Sequence, residues 1–160
     1  MAGGVRALAL TVSTRAAAGV YEDTTGPVIA AWLEERGFDT AAQVVADGPA
    51  VEAALRASAD AGLDLVVTTG GTGIGPSDRT PEATRAVIGL ELPGFGEELR
   101  RLGAAHSPTA LLSRGIAGIT GTTLIANLPG SSGGVRDGLA LLDGLYVHAL
   151  DQLRGGDHAR

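Results

Sequence analysis

The chain has 160 residues, of which 44% are apolar, 3% aromatic and 19% charged, and its formal net charge is −6. This length and composition predict one globular domain whose core is built from Ala, Val, Leu and Ile. The acidic balance argues against a general nucleic-acid-binding protein; the lack of Lys excludes a P-loop or Schiff-base lysine, and the lack of Cys excludes thiolate, disulfide and cysteine metal chemistry.

The first residues, "MAGGVRALAL", run directly into a strand-like segment, without the charged region, apolar stretch and cleavage site of a signal peptide. The longest apolar runs are far shorter than a bilayer span. We therefore expect a soluble, cytoplasmic protein that does not contact a membrane.

Strands and helices alternate through the first half of the chain. The expected elements are strands at Val5–Val12, Thr40–Asp47 and Leu63–Thr69, and helices at Gly26–Gly37 and Pro49–Gly62. In the first helix Thr25 is a candidate N-cap and Gly37 a C-terminal stop, and we expect Val28, Trp32 and Leu33 to share a face.

The second half is less regular. The expected elements are a helix at Thr80–Leu90 capped by Thr80, short strands at Ala110–Gly118 and Thr122–Leu128, a glycine-rich loop at Pro129–Gly134, and one or two closing helices in Val135–Leu153. The order of elements predicts an α/β fold, a three-layer sandwich with a mostly parallel central sheet. We expect a single domain, residues 1–160, with a core of about 5–153 and a flexible C-terminal tail.

The stretch "TTGGTGIGPSD", Thr68–Asp78, follows the third expected strand and carries four glycines before its acidic residue. Loops that follow parallel strands meet at one edge of the sheet, and glycine backbone N–H groups ahead of a helix suit phosphate or another oxyanion. A Walker A loop is excluded because Pro76 follows Gly75 where that motif needs Lys. The spacing of the glycines does not fit a dinucleotide fingerprint either.

The same letters carry a family resemblance. "TTGGTGIGPSDRTPEAT" resembles the signature of the MoaB/Mog family of molybdenum cofactor biosynthesis proteins. "VSTRAAAGVYEDTTGP", "VVADG", "PGFGEELR" and "TALLSRGIAGITGTTLIANLPG" follow the family pattern in order, so that the resemblance covers about Val5 to Leu150.

The resemblance implies a domain that binds molybdopterin, with Mog-type members transferring AMP from MgATP to the terminal phosphate of the pterin and releasing pyrophosphate. It also implies a homotrimer or hexamer, and a downstream molybdenum-insertion protein as partner. The alternative is a non-catalytic molybdopterin-binding or carrier protein of the MoaB branch.

The two functional aspartates of the family map onto Asp47 in "VVADG" and Asp78 in "GPSDRTPEA". The two substrates are strongly anionic, so bare carboxylates would repel them, and a divalent cation resolves this conflict. Asp47 and Asp78 are therefore our candidate catalytic residues and Mg²⁺ ligands. The attacking phosphate oxygen is already ionised at neutral pH, so that no general base is needed.

Further residues of the matched motifs are candidates for binding substrate or phosphate. They are Ser13, Thr69, Gly70, Gly71, Thr72, Gly73, Ser113, Pro129, Gly130 and Ser131. Family members often have Ser in place of Gly103, and a basic or amide residue in place of Gly133 or Gly134. These departures remove potential ligand contacts but touch neither aspartate.

Each candidate also has a structural interpretation. Asp47 could cap the helix that begins near Pro49, and Asp78 could be a turn residue. Arg15, Arg79 and Arg114 could clamp phosphates or form surface salt bridges.

Overall fold

A computed structural model describes residues 3–156 and shows a six-stranded sheet with helices on both faces. The strands are β1 (Arg6–Val12), β2 (Asp39–Val45), β3 (Leu65–Thr69), β4 (Leu90–Glu91), β5 (Ala117–Thr120) and β6 (Thr123–Leu128). The helices are α1 (Thr14–Ala17), α2 (Gly26–Glu35), α3 (Pro49–Asp60), α4 (Thr80–Val87), α5 (Pro93–Ala104), α6 (Ser132–Asp143) and α7 (Tyr146–Leu153), with a 3₁₀ helix at Pro108–Leu112.

The strand order is β2-β1-β3-β6-β5-β4. The first four strands in this order are parallel, whereas β5 runs antiparallel to both β6 and β4. The expected three-layer α/β fold with a mostly parallel sheet is confirmed. In the register, Thr69 pairs with Thr11 on one side and Leu128 on the other, so the loops that follow β1, β3 and β6 leave the sheet side by side.

Alternation along the central strands builds the two core layers. Ala7 and Ala9 of β1 face the layer formed by α2, α5, α6 and α7, whereas Leu8 and Leu10 face the layer formed by α3 and α4. The same strand is thus buried on both faces, as expected for the centre of a parallel sheet.

The first long helix largely follows its sequence signals. Thr25 is its N-cap, and Gly37 ends it with a left-handed φ of 83°. Trp32 and Leu33 are buried, but Val28 is 52% exposed and Ile29 takes its place on the core face. The expectation for Val28 was wrong because it lies one position out of register with the buried face.

The expected strand at Ala110–Gly118 was also wrong. Pro108 begins a 3₁₀ helix that runs to Leu112, and the strand begins only at Ala117. Arg114, between them, donates its backbone N–H to Thr72 O at 2.8 Å and so belongs to no ladder. The apolar pair Leu111 and Leu112 suggested a strand, yet both side chains are exposed.

The cap expected for α4 was one residue off. Arg79 is the N-cap, and Thr80 is the first helical residue. The Thr80 hydroxyl donates to Gly70 O at 3.1 Å, so that it holds the preceding glycine loop instead of capping its own helix.

No helix within the described range 3–156 is long and apolar enough to cross a membrane. Of the expected C-terminal tail, Arg154 donates to Asp64 Oδ1 at 2.8 Å, and residues 157–160 lie outside the described residues.

Candidate functional site

The glycine loop after β3 packs so closely against its neighbours that its first two glycines leave no room for a side chain. Gly70 and Gly71 have left-handed φ angles of 94° and 67°. A Cβ at Gly70 would meet the carbonyl oxygen of Val12, and one at Gly71 would meet the Thr80 hydroxyl. The bare backbone therefore lets the loop pack directly against the end of β1 and the start of α4.

Asp78 folds back over the same loop. Its Oδ2 accepts the Gly75 N–H at 3.0 Å, and its own N–H donates to Gly75 O at 3.0 Å. A Cβ at Gly73 or Gly75 would lie 2.8 or 2.9 Å from that carboxylate oxygen. The turn role considered for Asp78 is therefore real, and it places a half-buried carboxylate directly against the glycine backbone.

Asp47 reaches the loop from the end of β2. Its Oδ2 accepts the Thr14 hydroxyl at 2.9 Å, and its N–H donates to Thr14 Oγ1 at 3.1 Å. Its other carboxylate oxygen lies 3.1 Å from the position that a Cβ on Gly71 would occupy. The N-cap of α3 is Gly48, with no side-chain capping bond, so Asp47 does not cap that helix.

The second glycine-rich loop, after β6, is tied to the first. Thr69 donates its hydroxyl to Pro129 O at 2.8 Å, and Gly130 approaches so closely that its Cβ would lie 3.5 Å from Gly70 Cα. Ser131 is the N-cap of α6, where its Oγ accepts the Gly134 N–H at 3.1 Å. The loop therefore presents a helix N-terminus beside the first loop, an arrangement that favours anions.

Between these loops, α5 and the 3₁₀ helix lies an open cavity of about 980 Å³. It is lined by most of the expected binding residues, namely Gly70, Gly71, Thr72, Gly73, Asp78, Ser113, Pro129, Gly130 and Ser131. We call this the large cavity.

The remaining expected residues lie elsewhere. Ser13 and Thr69 line a smaller cavity of about 170 Å³, which shares Gly70 and Gly130 with the large cavity. Asp47 lines neither cavity, although its carboxylate abuts the back of the glycine loop at Gly71. The two aspartates thus contact the same loop at different points.

None of the three arginines considered as phosphate clamps lines either cavity. Arg15 is exposed, and Arg79 Nη1 lies 3.9 Å from Glu82 Oε1. Arg114 directs its guanidinium at Glu82 and at backbone carbonyls of the glycine loop.

Two other arginines, Arg100 and Arg136, line the large cavity and were not among the expected site residues. Arg136 lies in the first half of α6, shortly after the second glycine loop, and this spacing was a usable signal. Arg100 could not have been found in this way, because it reaches the cavity through the packing of α5 against Gly115.

Gly103 and Gly134 have packing reasons for lacking side chains. A Cβ at Gly103 would lie 2.7 Å from Ala110 Cβ, and one at Gly134 would lie 2.7 Å from Pro129 Cγ. At Gly133 the nearest atom is 3.8 Å away, so that this position alone of the three has room for a side chain. Gly103 therefore lets α5 pack closely against the 3₁₀ helix at Ala110, and Gly134 lets α6 pack closely against Pro129.

The donor chemistry at the loop fits Mg²⁺ as an ion held partly by substrate. Across residues 3–156 no group of three or more His, Asp or Glu side chains could form a complete metal cage. Mg²⁺ is usually bound by one or two carboxylates together with waters and phosphate oxygens. Asp47 Oδ1 and Asp78 Oδ1 accept no hydrogen bond from the described residues, so each carboxylate keeps one oxygen for a ligand.

Comparison with known proteins decides the family. The family model described as "probable molybdopterin binding domain" matches residues 8–144. The chain belongs to this family. The resemblance seen in the motifs is thus confirmed over most of the chain's length.

Individual members of the molybdopterin-binding domain family are also similar. The molybdopterin adenylyltransferase of Haemophilus influenzae is 42% identical over 135 residues, which cover 81% of this chain and 68% of that protein. The molybdenum cofactor biosynthesis bifunctional protein of Synechococcus elongatus is 43% identical over 157 residues, or 97% of this chain. The chain spans about half the length of that bifunctional relative (49%).

A solved structure gives the same answer for the fold. The molybdopterin biosynthesis Mog protein of Mycobacterium ulcerans superposes with a TM-score of 0.91 and 53% identity, over 93% of this chain and 99% of that one. The central sheet and its flanking helices are therefore those of the family.

Proposed function

We propose that this chain is a molybdopterin adenylyltransferase of molybdenum cofactor biosynthesis, with MgATP as its second substrate. The observation that carries the proposal is the meeting of two glycine-rich loops and the Asp78 carboxylate at one large cavity. The names of relatives more than 40% identical to the chain, among them the Haemophilus influenzae adenylyltransferase, support the same activity.

In the proposed reaction, an oxygen of the terminal phosphate of molybdopterin attacks the α-phosphorus of ATP. A new P–O bond forms, the bond to the bridging oxygen breaks, and pyrophosphate leaves with its electron pair. The attacking oxygen is already ionised, so that alignment and charge neutralisation are the main tasks of the protein.

The residues of the site have distinct parts in this proposal. Backbone N–H groups of Gly71–Gly73 and the N-terminus of α6 at Ser131 bind phosphate oxygens, whereas the Gly70 N–H already donates to Leu128 O. Asp47 and Asp78 would hold Mg²⁺, which supplies positive charge to the phosphates when bound. Ser13, Thr69, Thr72, Ser113, Pro129 and Gly130 line the walls against which the substrates are oriented.

The test is a turnover assay with purified protein, molybdopterin, ATP and Mg²⁺, in which AMP-pterin and pyrophosphate are followed. Asp78→Asn keeps an oxygen that can accept the Gly75 N–H but removes the negative charge, so we expect kcat to fall about 100-fold. Asp60→Asn, at the exposed end of α3, is the matched control and should leave turnover unchanged.

If the native protein binds molybdopterin but forms no AMP-pterin with any divalent metal, the adenylyltransferase proposal fails. The chain would then be a molybdopterin-binding or carrier protein. Equal turnover of Asp78→Asn and the native protein would remove Asp78 from the site.

We further propose a cytoplasmic protein that forms a homotrimer or hexamer and passes its product to a molybdenum-insertion protein. The proposed use of ATP supports the location, and the net charge of −6 argues against a nucleic-acid partner. Exposed apolar side chains supply surface for self-association, for example Val28, Val44, Leu90 and Val147. Light scattering coupled to gel filtration measures the oligomeric state.

A further inference from the structure

The guanidinium of Arg114 lies between the two ends of one segment of the glycine loop. Its Nε donates to Gly73 O at 2.8 Å, and its Nη2 donates to Asp78 O at 2.7 Å. These two carbonyls bracket the segment Gly73–Asp78, so that one rigid, planar group fixes the distance between its ends. The backbone N–H of Arg114 holds the adjacent Thr72 O at 2.8 Å.

The third side of the guanidinium is anchored to α4. Nη1 of Arg114 donates to both carboxylate oxygens of Glu82, at 2.7 and 3.0 Å. Partial burial by itself raises the pKa of Glu82, but the hydrogen bonds and positive charge of Arg114 outweigh it and hold that pKa below its usual range. Glu82 is therefore ionised at neutral pH and orients the guanidinium.

The backbone that carries Arg114 is itself braced from α5. Arg100 donates from Nη1 to Gly115 O at 3.1 Å and to Ser113 O at 3.3 Å. A Cβ on Gly96 would lie 2.7 Å from Gly115 O, so that α5 packs directly against the irregular segment that precedes β5. These contacts with α5 hold the backbone on both sides of Arg114, and its side chain extends from there to the glycine loop.

The clamped segment contains the bond that orients the Asp78 carboxylate. Asp78 Oδ2 accepts the Gly75 N–H at 3.0 Å, and both partners lie between the two carbonyls that Arg114 holds. Without the two hydrogen bonds from Arg114, the turn that orients the Asp78 carboxylate would be held by the bonds between Gly75 and Asp78.

We propose that Arg114 is a positioning residue, whose guanidinium holds Gly73–Asp78 in the shape that presents the Asp78 carboxylate to the large cavity. This inference rests on the proposed function only where Asp78 takes part in adenylyl transfer. We assign Arg114 no phosphate contact, because it lines neither cavity and its Nε, Nη1 and Nη2 all donate to the loop or to Glu82.

The first test measures the loop directly, without substrate. Arg114→Lys keeps the positive charge but replaces the planar fork with one ammonium, which cannot reach all three acceptor groups at once. We expect hydrogen exchange of the Gly75 and Asp78 amides, which are the hydrogen-bonded amides described within residues 73–78, to rise about tenfold, while the amides of β3 and the thermal midpoint change little. Arg101→Lys is the matched control, because Arg101 is exposed and, among residues 3–156, its guanidinium pairs with Glu98 on α5 alone.

The second test separates positioning from binding. In the adenylyl transfer assay, Arg114→Lys should lower kcat about 10- to 100-fold and change KM for ATP less than about threefold. Glu82→Gln, which keeps the side-chain volume but frees the guanidinium, should lower kcat in the same sense. Arg101→Lys should match the native protein in both parameters.

Unchanged exchange in residues 73–78 of Arg114→Lys overturns the inference, whatever the activity. An active native protein whose kcat is equalled by Arg114→Lys also overturns it. If the native protein is inactive, the proposed function fails, and the exchange experiment alone decides whether Arg114 positions the loop.

Discussion

At the scale of single residues, the ion pair between Glu82 and Arg114 makes stability depend on pH. Because Arg114 holds the pKa of Glu82 below its usual range, this contribution is fully present above the ordinary glutamate pKa. It is lost as pH falls through the lowered value of the folded protein. The free energy of unfolding of Glu82→Gln should therefore lie below that of the native protein at pH 7, and the gap should narrow below about pH 5.

Urea unfolding at a series of pH values measures this gap. Glu34→Gln is the control, since Glu34 is exposed on α2 and no ion pair of the described residues includes it. A gap between Glu82→Gln and the native protein that stays constant down to pH 3 would contradict the proposed electrostatic origin.

Residue identities in the candidate site could be predicted where the signal is local. Asp78 and its glycines form one short motif, and the structure brings them into contact. The role of Arg114 could not be predicted, because two of its acceptors are backbone carbonyls 41 and 36 positions away in the chain. Every residue has a backbone carbonyl, so the sequence does not show which of them accepts a hydrogen bond from Arg114. Asp47 was expected to share a site with Asp78, and its assignment as a metal ligand stays a prediction.

At the scale of elements, the contact between α6 and β6 depends on Gly138. A Cβ at this position would collide with the side chain of Leu128, with two further atoms of that side chain at 3.0 and 3.1 Å. Leu128 is fully buried, so its side chain can move aside only by displacing its own neighbours. We expect Gly138→Ala to destabilise the protein by about 1–3 kcal/mol through overpacking.

Gly133→Ala is the matched control in the same helix. Its Cβ would have no neighbour closer than 3.8 Å, and Ala is the better helix former by about 0.5–1 kcal/mol. Thermal or urea unfolding should therefore move in opposite directions for the two variants. Equal shifts in the two variants would show that helix propensity, and not contact with Leu128, determines their change in stability.

Elements with strong periodic patterns were the predictable ones. The almost fully buried strands β1, β3 and β6 and the helices α2 and α3 lie close to their expected positions. The error at Ala110–Gly118 arose because a short apolar run can be a strand or a turn. The 3₁₀ helix that begins at Pro108 and the bond from the Arg114 N–H to Thr72 O decide between them.

At the scale of the whole molecule, the protection of backbone amides from hydrogen exchange should decline from the centre of the sheet to its edges. β1, β3 and β6 each have two partner strands, whereas β2 and β4 each have one. Native-state hydrogen exchange should therefore find the slowest amides in β3 and β6, near Val67 and Ile125. Amides on the open side of β2, around Ala42, should exchange at least about 100-fold faster.

Measurement at several protein concentrations provides the control. If β2 amides are as slow as those of β3 at every concentration, its edge is not open and the prediction is wrong. The sheet order behind this prediction could not be read from the sequence, since β6 pairs with β3 although β4 and β5 come between them in the chain.

The joining of the two glycine loops also sets an order of events during translation. Thr69 bonds to Pro129, 60 positions further along the chain, so the first loop leaves the ribosome long before its partner is made. In the interval one edge of β3, whose side chains are all buried in the finished sheet, has no neighbouring strand. A substrate that needs both loops can therefore bind only after Pro129 has been made, and until then the unpaired edge of β3 is open to pairing with other chains.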